Sequence, residues 1–172
     1  MPGLTQSDIR RLFELLNEEL TKLEAHAELF LVGGAVMCLS YGARASTEDV
    51  DALFRPTVEV RKAAARVAAR AGVADDWLTD GVKGFMSTPG DFLPILEMDH
   101  LRIMVAQPAY LLAMKCLAMR IGAEFHDEDD IRYLLRLLDI RSYEHATSVI
   151  SKYYPLDRFP QKTLYALAEL LS

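Results

Sequence analysis

The residues best suited to chemistry are two adjacent glycines, Gly33 and Gly34, and two aspartates downstream, Asp49 and Asp51, each pair bordering an apolar run. Glycine lets the backbone come close to a phosphate because no side chain blocks the approach. Residues i and i+2 of a strand point to the same face, so we expect the two carboxylates side by side, about 6–7 Å apart. Two oxygen ligands on a rigid strand suit Mg²⁺, which usually keeps waters and substrate phosphates as well. The pattern therefore predicts a site for a nucleoside triphosphate.

Each half of this pattern also has a plainer explanation. A glycine pair often makes only a tight turn, and the spacing matches neither the G-x-G-x-x-G fingerprint nor a P-loop with G-K-[ST]. Aspartate is depleted in strands, so Asp49 could precede the strand and leave only Asp51 within it, on a solvated face. The occurrence of both halves together favours the phosphate site.

Four further polar residues are candidates for contact with the same ligand. Ser46 and Thr47 could close the turn through hydroxyl-to-backbone hydrogen bonds. Arg44 could orient a carboxylate or contact a phosphate as a bidentate donor, or be an ordinary surface arginine. Lys115 lies in an apolar helical stripe, where an unpaired ammonium is costly. Its ammonium would either reach water at the rim or meet an acid or a phosphate.

The elements that must position these residues follow from hydrophobic periodicity and from glycine and proline punctuation. The order is helix, strand, helix, strand, helix, strand, strand and then helices. This order predicts an α/β or α+β fold, with a mixed sheet flanked by helices and a helical C-terminal portion. We expect helices over residues 9–23, 35–41, 58–72, 108–121, 131–138, 142–152 and 160–171, and strands over residues 29–32, 50–54, 92–96 and 101–106.

Composition narrows the class of protein. The chain has 172 residues, of which 51% are hydrophobic, and we expect one domain with a core of about residues 1–107 and a helical portion of about 108–172. Apolar runs too short to span a bilayer, the lack of a secretory pattern and two isolated cysteines, Cys38 and Cys116, indicate a cytoplasmic protein. The net charge of -6 gives no general attraction to nucleic acid.

Two motifs carry a resemblance to a known family. Val32-Gly33-Gly34-Ala35, followed by Arg44-x-Ser46-Thr47-x-Asp49-Val50-Asp51, resembles the signature of the DNA polymerase beta-like nucleotidyltransferase superfamily, in the variant of the AbiEii-type toxins. Further matches favour a small uncharacterised branch related to those toxins. They are Asp76-Trp77-Leu78-Thr79-Asp80-Gly81-Val82-Lys83-Gly84-Phe85, Leu112-Ala113-Met114-Lys115-x-x-Ala118-x-Arg120 and Asp127-x-x-Asp130-Ile131.

This resemblance implies a reaction and a set of roles. A Mg²⁺- or Mn²⁺-dependent enzyme would move an NMP from an NTP to an acceptor hydroxyl, with Asp49 and Asp51 as metal ligands. Gly33, Gly34, Arg44, Ser46, Thr47 and Lys115 would contact the nucleotide. A third carboxylate from a later strand would be Glu97 or Asp99, although Asp99 could simply be a turn residue. The acceptor could be RNA, including tRNA, in a toxin–antitoxin or defence setting with a cognate antitoxin. The alternative is an inactive module that binds a nucleotide or a protein partner.

Overall fold

The computed structural model describes residues 3–81, 87, 90–119 and 127–172. These residues divide into two compact units. The sheet unit contains residues 3–81 and 92–106, and the helical unit contains residues 87, 90–91, 107–119 and 127–172. Within the described residues, no helix combines the length and the apolar character needed to cross a membrane.

The sheet unit is built on a five-stranded mixed sheet in the order β5-β4-β2-β7-β6, with a separate ladder between β1 and β3. Strand β2 is central, antiparallel to β4 and parallel to β7. The strands are β1 (Leu4–Thr5), β2 (Ala27–Val32), β3 (Ser46–Thr47), β4 (Val50–Arg55), β5 (Leu78–Thr79), β6 (Phe92–Glu97) and β7 (Leu101–Ala106).

Three helices belong to the sheet unit: α1 (Gln6–Lys22), α2 (Gly34–Leu39) and α3 (Thr57–Ala71). Helix α1 begins with a capping box, because Thr5 Oγ1 accepts from Asp8 N at 3.2 Å and Asp8 Oδ2 accepts from Thr5 N at 2.9 Å. Helix α3 ends at Gly72, whose φ of 68° is the left-handed conformation that glycine adopts at little cost.

The two faces of the sheet differ in burial. Side chains alternate along β2 and β4, so Leu29, Leu31, Ala52 and Phe54 are at most 4% exposed. Helices α1 and α3 pack against each other. Helix α1 also contacts β7, and α3 contacts β4. On the opposite face Glu28, Phe30, Asp51 and Leu53 are half-buried, whereas Val32 is buried and Arg55 is exposed. Asp51 belongs to this second face, which we call the open face.

The helical unit is formed by α4 (Pro108–Leu117), α5 (Asp127–Leu137), α6 (Tyr143–Ile150), a short 3-10 helix (Leu156–Arg158) and α7 (Gln161–Leu170). Helix α4 contacts α5, α6 and α7, and its residues from Tyr110 to Cys116 are almost fully buried. The Tyr110 ring stacks on Tyr153 at 4.9 Å. An all-round apolar helix of this kind is typical of a core position.

The mixed α/β class and the order of the longer elements are confirmed, and β6 and β7 pair as an antiparallel hairpin. Helix α2 stops at Leu39, two residues before its expected end at residue 41. The two-residue strands β1, β3 and β5 were not predicted. The expected end of α4 near residue 121, Arg120, and Val82 to Phe85 of one quoted match lie outside the described residues.

Candidate functional site

Gly33 brings the backbone into direct contact with a carboxylate. It follows β2 with a φ of 71°, a conformation that L side chains rarely adopt. A Cβ at Gly33 would lie 3.2 Å from Asp51 Oδ2 and 3.7 Å from Asp51 Cβ. Strand pairing explains the contact, because Val32 lies opposite Asp51 in the β2–β4 ladder. The structure therefore joins the two halves of the sequence pattern at Gly33 and Asp51.

Gly34 packs against the polar loop before β4. A Cβ there would lie 2.6 Å from Arg44 Nη1 and 2.8 Å from Thr47 Oγ1, separations that real Cβ atoms do not show. A guanidinium and a hydroxyl thus sit against the first residue of α2, beside the Gly33–Asp51 contact. The shared location of a cation, a hydroxyl and a carboxylate supports a role in binding an anion that carries a metal ion.

Asp49 lies just before β4, so the two aspartates do not share one strand, and the alternative that only Asp51 lies within the strand is confirmed. The strand starts at Val50, whose N–H donates to the Trp77 carbonyl at 2.7 Å. Thr47 Oγ1 donates to the Asp49 carbonyl at 3.2 Å, which is the predicted hydroxyl-to-backbone closure of the turn. Both aspartates are half-buried. Strand register accordingly fixes Asp51, while the Thr47 hydrogen bond fixes the backbone of Asp49.

Arg44 is half-buried and held beside α2, which differs from an ordinary surface arginine. The positive charge of Arg44 acts electrostatically on the buried Cys38 thiol. Burial raises the pKa of Cys38, and the nearby Arg44 guanidinium partly opposes this rise. Cys38 Sγ also donates to the Ala45 carbonyl at 3.8 Å. The Cys38 contact ties Ala45, the residue after Arg44, to helix α2.

The ladder between β1 and β3 braces this polar loop. Leu4 pairs with Thr47, and Thr5 pairs with Ser46. A Cβ on Gly3 would come within 2.8 Å of Ser46 Oγ, so the Ser46 hydroxyl lies against the N-terminal segment. Ser46 remains exposed, whereas Thr47 is 7% exposed. The loop before Asp49 is thus held on one side by Gly34 and on the other by β1.

Glu97 lies too far from Asp51 to share a metal ion, which corrects the expectation for a third carboxylate. In the register, Glu97 pairs with Arg102, Arg102 with Glu28 and Glu28 with Arg55. Arg55 is four residues beyond Asp51 on β4, or about 13 Å, and β6 is three strand spacings from β4, or about 14 Å. Glu97 is instead bound by Arg102 Nε at 2.9 Å. Pairing between distant strands, which local sequence does not reveal, sets this separation.

Asp99 is likewise at the other end of the sheet. Asp99 is exposed in the turn between β6 and β7. Leu101, two residues later, pairs with Ala27, the first residue of β2. Asp51 lies opposite Val32, where β2 ends. The alternative that Asp99 is a turn residue is confirmed.

Thr79 is a neighbour of Asp51 that the sequence reasoning did not single out. It pairs directly with Asp51 across the parallel β4–β5 ladder, so both side chains are on the open face. Thr79 Oγ1 accepts from Gly81 N at 3.2 Å. A two-residue strand has no periodicity to detect, although the Asp76 to Phe85 match contained the signal.

Lys115 belongs to the helical unit and meets an acid there. Its Nζ donates to Asp130 Oδ2 at 2.7 Å, and the two side chains are 8% and 4% exposed. The alternative in which the ammonium reaches water at a rim is therefore wrong. Asp127, the first residue of α5 and three residues before Asp130, is also buried.

The donor set at Asp51 fits a magnesium ion that is completed by a ligand. Mg²⁺ is commonly held by one or two carboxylates together with substrate phosphates, and Asp49 and Asp51 meet that requirement. Among the residues described here, no group of three or more His, Cys, Asp or Glu side chains is placed to hold a metal. The pair therefore suits an ion that arrives with a phosphate better than a closed protein cage.

Comparison with known proteins adds no relative to this picture. No family model, curated protein or solved structure matches the chain.

Proposed function

We propose that the chain is a Mg²⁺-dependent nucleotidyltransferase that moves an NMP from an NTP to an acceptor hydroxyl. The observation that carries the proposal is the approach of Gly33 and Gly34 to Asp51, Arg44 and Thr47. It supports binding of a triphosphate at the start of α2, where glycine backbone, a guanidinium and a hydroxyl lie together.

The proposed reaction is an in-line displacement at the α-phosphate. The acceptor oxygen forms a bond to phosphorus, the bond from the α-phosphate to the bridging oxygen breaks, and pyrophosphate leaves while the acceptor proton passes to water. Asp49 and Asp51 would hold Mg²⁺, which supplies neutralisation of the phosphate charge when bound. Arg44 would orient the phosphates, and Gly33 would leave them room beside Asp51.

The test is Mg²⁺-dependent release of pyrophosphate from each NTP in the presence of tRNA, total RNA or small hydroxyl acceptors. We expect activity in the wild-type chain and a loss of at least 100-fold in Asp49→Asn/Asp51→Asn, since charge stabilisation at such sites is commonly of this order or larger. A control, Asp75→Asn/Asp157→Asn, removes the same charge at two exposed positions. Transfer that survives the first double substitution would rule out this mechanism.

The acceptor class rests on the resemblance alone. RNA, within a cytoplasmic toxin–antitoxin system that includes a protein antitoxin, is the acceptor implied for AbiEii-type proteins. The acidic net charge of -6 adds no support for it. Activity confined to the small acceptors would therefore exclude RNA without excluding nucleotidyl transfer.

A non-catalytic nucleotide-binding module is the second candidate function. It is favoured by the position of Glu97, which leaves Asp49 and Asp51 as the only predicted carboxylates near Gly33 within the described part of the chain. This module would bind Mg²⁺ and an NTP without releasing pyrophosphate from any acceptor mixture. Binding without turnover would therefore select it over the enzyme.

A further inference from the structure

We infer that the open face beside Asp51 binds the base of the nucleotide, with Phe30 as its stacking residue. The inference rests on the proposed function and names the part of the substrate that this face would take, a purine or pyrimidine ring.

The strand register places Phe30 next to the aspartate site. Asp51 lies opposite Val32, and Leu53 lies opposite Phe30, on the same face. Phe30 is therefore two residues along and one strand across from Asp51, so their Cα atoms are about 8 Å apart. The span from the α-phosphate of a nucleotide through its ribose to its base ring is of similar length, so a nucleotide with its phosphates beside Asp51 can reach Phe30 with its base.

Aromatic and apolar side chains form the floor at this position. The Phe30 ring meets Phe92 edge-to-face, with centroids 5.1 Å apart, and pairs with Leu53 and Met104 on its two sides. Phe30, Phe92 and Leu53 are half-buried, so part of this surface is accessible. Aromatic side chains in such positions stack on any base because every base has a π-face.

The polar side chains beside this apolar surface suit a neutral ligand that forms hydrogen bonds. Arg55 and Arg102 both reach Glu28, at 2.9 and 3.7 Å, and Arg102 also pairs with Glu97. Two arginines and two glutamates alternate in this row, which gives donors and acceptors but no net charge. The Arg55 guanidinium lies over the Phe30 ring, 5.1 Å from its centroid, in a cation–π contact that a stacked base would have to share or replace. A base edge also combines donors and acceptors, whereas a second phosphate would need excess positive charge.

The experiment compares NTPs with inorganic tripolyphosphate. Calorimetry in Mg²⁺ measures the affinity of each NTP and of tripolyphosphate for the wild-type chain, Phe30→Leu and Phe30→Tyr. We expect at least one NTP to bind about tenfold more tightly than tripolyphosphate, because stacking contributes at this level. Phe30→Leu should abolish that preference and leave tripolyphosphate affinity unchanged, while Phe30→Tyr, which keeps the ring, should retain it. Tyr165→Leu, which removes a 70%-exposed ring of the helical unit, is the control.

Two different failures can be told apart. Equal affinity for NTPs and tripolyphosphate in the wild-type chain would overturn the base site. This outcome does not depend on whether any variant folds. A preference that persists in a folded Phe30→Leu would overturn it as well. If tripolyphosphate binding does not depend on Mg²⁺ and on Asp49 and Asp51, the proposed function itself fails.

Discussion

Two glycines determine how closely the backbone approaches the charged groups of the candidate site. Gly33 requires a positive φ and has Asp51 Oδ2 within 3.2 Å of its missing Cβ. Gly42 also has a positive φ, of 62°, but nothing lies within 4 Å of the position of its Cβ. The two positions share a positive φ, which disfavours a side chain at either one, but only Gly33 contacts Asp51.

We expect Gly33→Ala and Gly42→Ala both to lower stability and to differ in their effects on ligand binding. Each should lower the free energy of unfolding by about 1–3 kcal/mol, the range for a side chain held in a sparsely populated backbone region. Only Gly33→Ala should also lower Mg²⁺-tripolyphosphate affinity, by about tenfold, because its methyl group displaces the Asp51 carboxylate. Urea unfolding and calorimetry measure both quantities, and equal affinity in the two variants would contradict the role of Gly33.

The buried ion pair between Lys115 and Asp130 makes a second prediction. Removal of one partner leaves an uncompensated buried charge, so Lys115→Met should lower the free energy of unfolding by about 3–5 kcal/mol. In the double variant Lys115→Met/Asp130→Asn the loss should be smaller than the sum of the two single losses, by about 1–3 kcal/mol. Urea unfolding of the four proteins measures this coupling, and additive losses would show that the 2.7 Å contact contributes little.

At the scale of single residues, the residue types and their spacing predicted part of the candidate site. Gly33 meets Asp51, as the pairing of the two motifs implied, and Gly34 meets Arg44 and Thr47. The sequence left open whether Asp49 belongs to the strand, because the first strand residue is set by a hydrogen bond from Val50 to Trp77. Local sequence contains no record of that partner.

At the scale of elements, helices α1 and α3 are joined by ion pairs around one buried glutamate. Glu19 is 3% exposed, and its Oε2 accepts from Lys22 at 2.9 Å and from Arg70 at 2.7 Å. The hydrogen bond from Lys22 lowers the pKa of Glu19 below 4.5, burial opposes the shift, and Arg70 adds to it. The charged form of Glu19 is thus the one that stabilises the packing of α1 on α3.

We expect Glu19→Gln to be destabilising in a pH-dependent way. A carboxylate whose pKa is lowered on folding contributes its full stabilisation at pH values above its pKa in the unfolded state. That stabilisation is lost as the pH falls through its pKa in the folded state. At pH 7 the variant should lose about 1–3 kcal/mol, the range for hydrogen bonds to charged groups, and the difference from wild type should shrink below about pH 4. Urea unfolding from pH 7 to pH 3 measures it.

Glu14 supplies the matched comparison on the same helix. It pairs with Arg11 at 3.1 Å, but both side chains are about 60% exposed. Glu14→Gln should therefore change the unfolding free energy by no more than about 0.5 kcal/mol at any pH in this range. A loss at Glu19 that is equally small, or independent of pH, would refute the proposed role of its charge.

The longer elements were predictable because each has its own signal. The capping box of Thr5 and Asp8 marks the start of α1, and Gly72 marks the end of α3. Strands β1, β3 and β5 each contain two residues, too few to show a period of two. They exist only because tertiary contacts bring them to a partner.

At the scale of the whole molecule, the mixed α/β class followed from the sequence and the order of the strands did not. The order β5-β4-β2-β7-β6 depends on pairing between segments far apart in the chain. That order determines which acidic residues can meet, since it separates Glu97 from Asp51 and places Thr79 beside it. Residue types predicted the candidates, but only the register could choose among them.

The junction of β4 and β5 contains the chain's one tryptophan. Trp77 is 1% exposed, its indole Nε1 donates to the Ala64 carbonyl at 3.0 Å, and its own carbonyl accepts from Val50, the residue between Asp49 and Asp51. A movement of the two aspartates would thus be transmitted through one hydrogen bond to the surroundings of a single fluorophore. We therefore expect binding of Mg²⁺ and an NTP at the proposed site to change the intrinsic emission of Trp77, which would allow ligand titrations without a label.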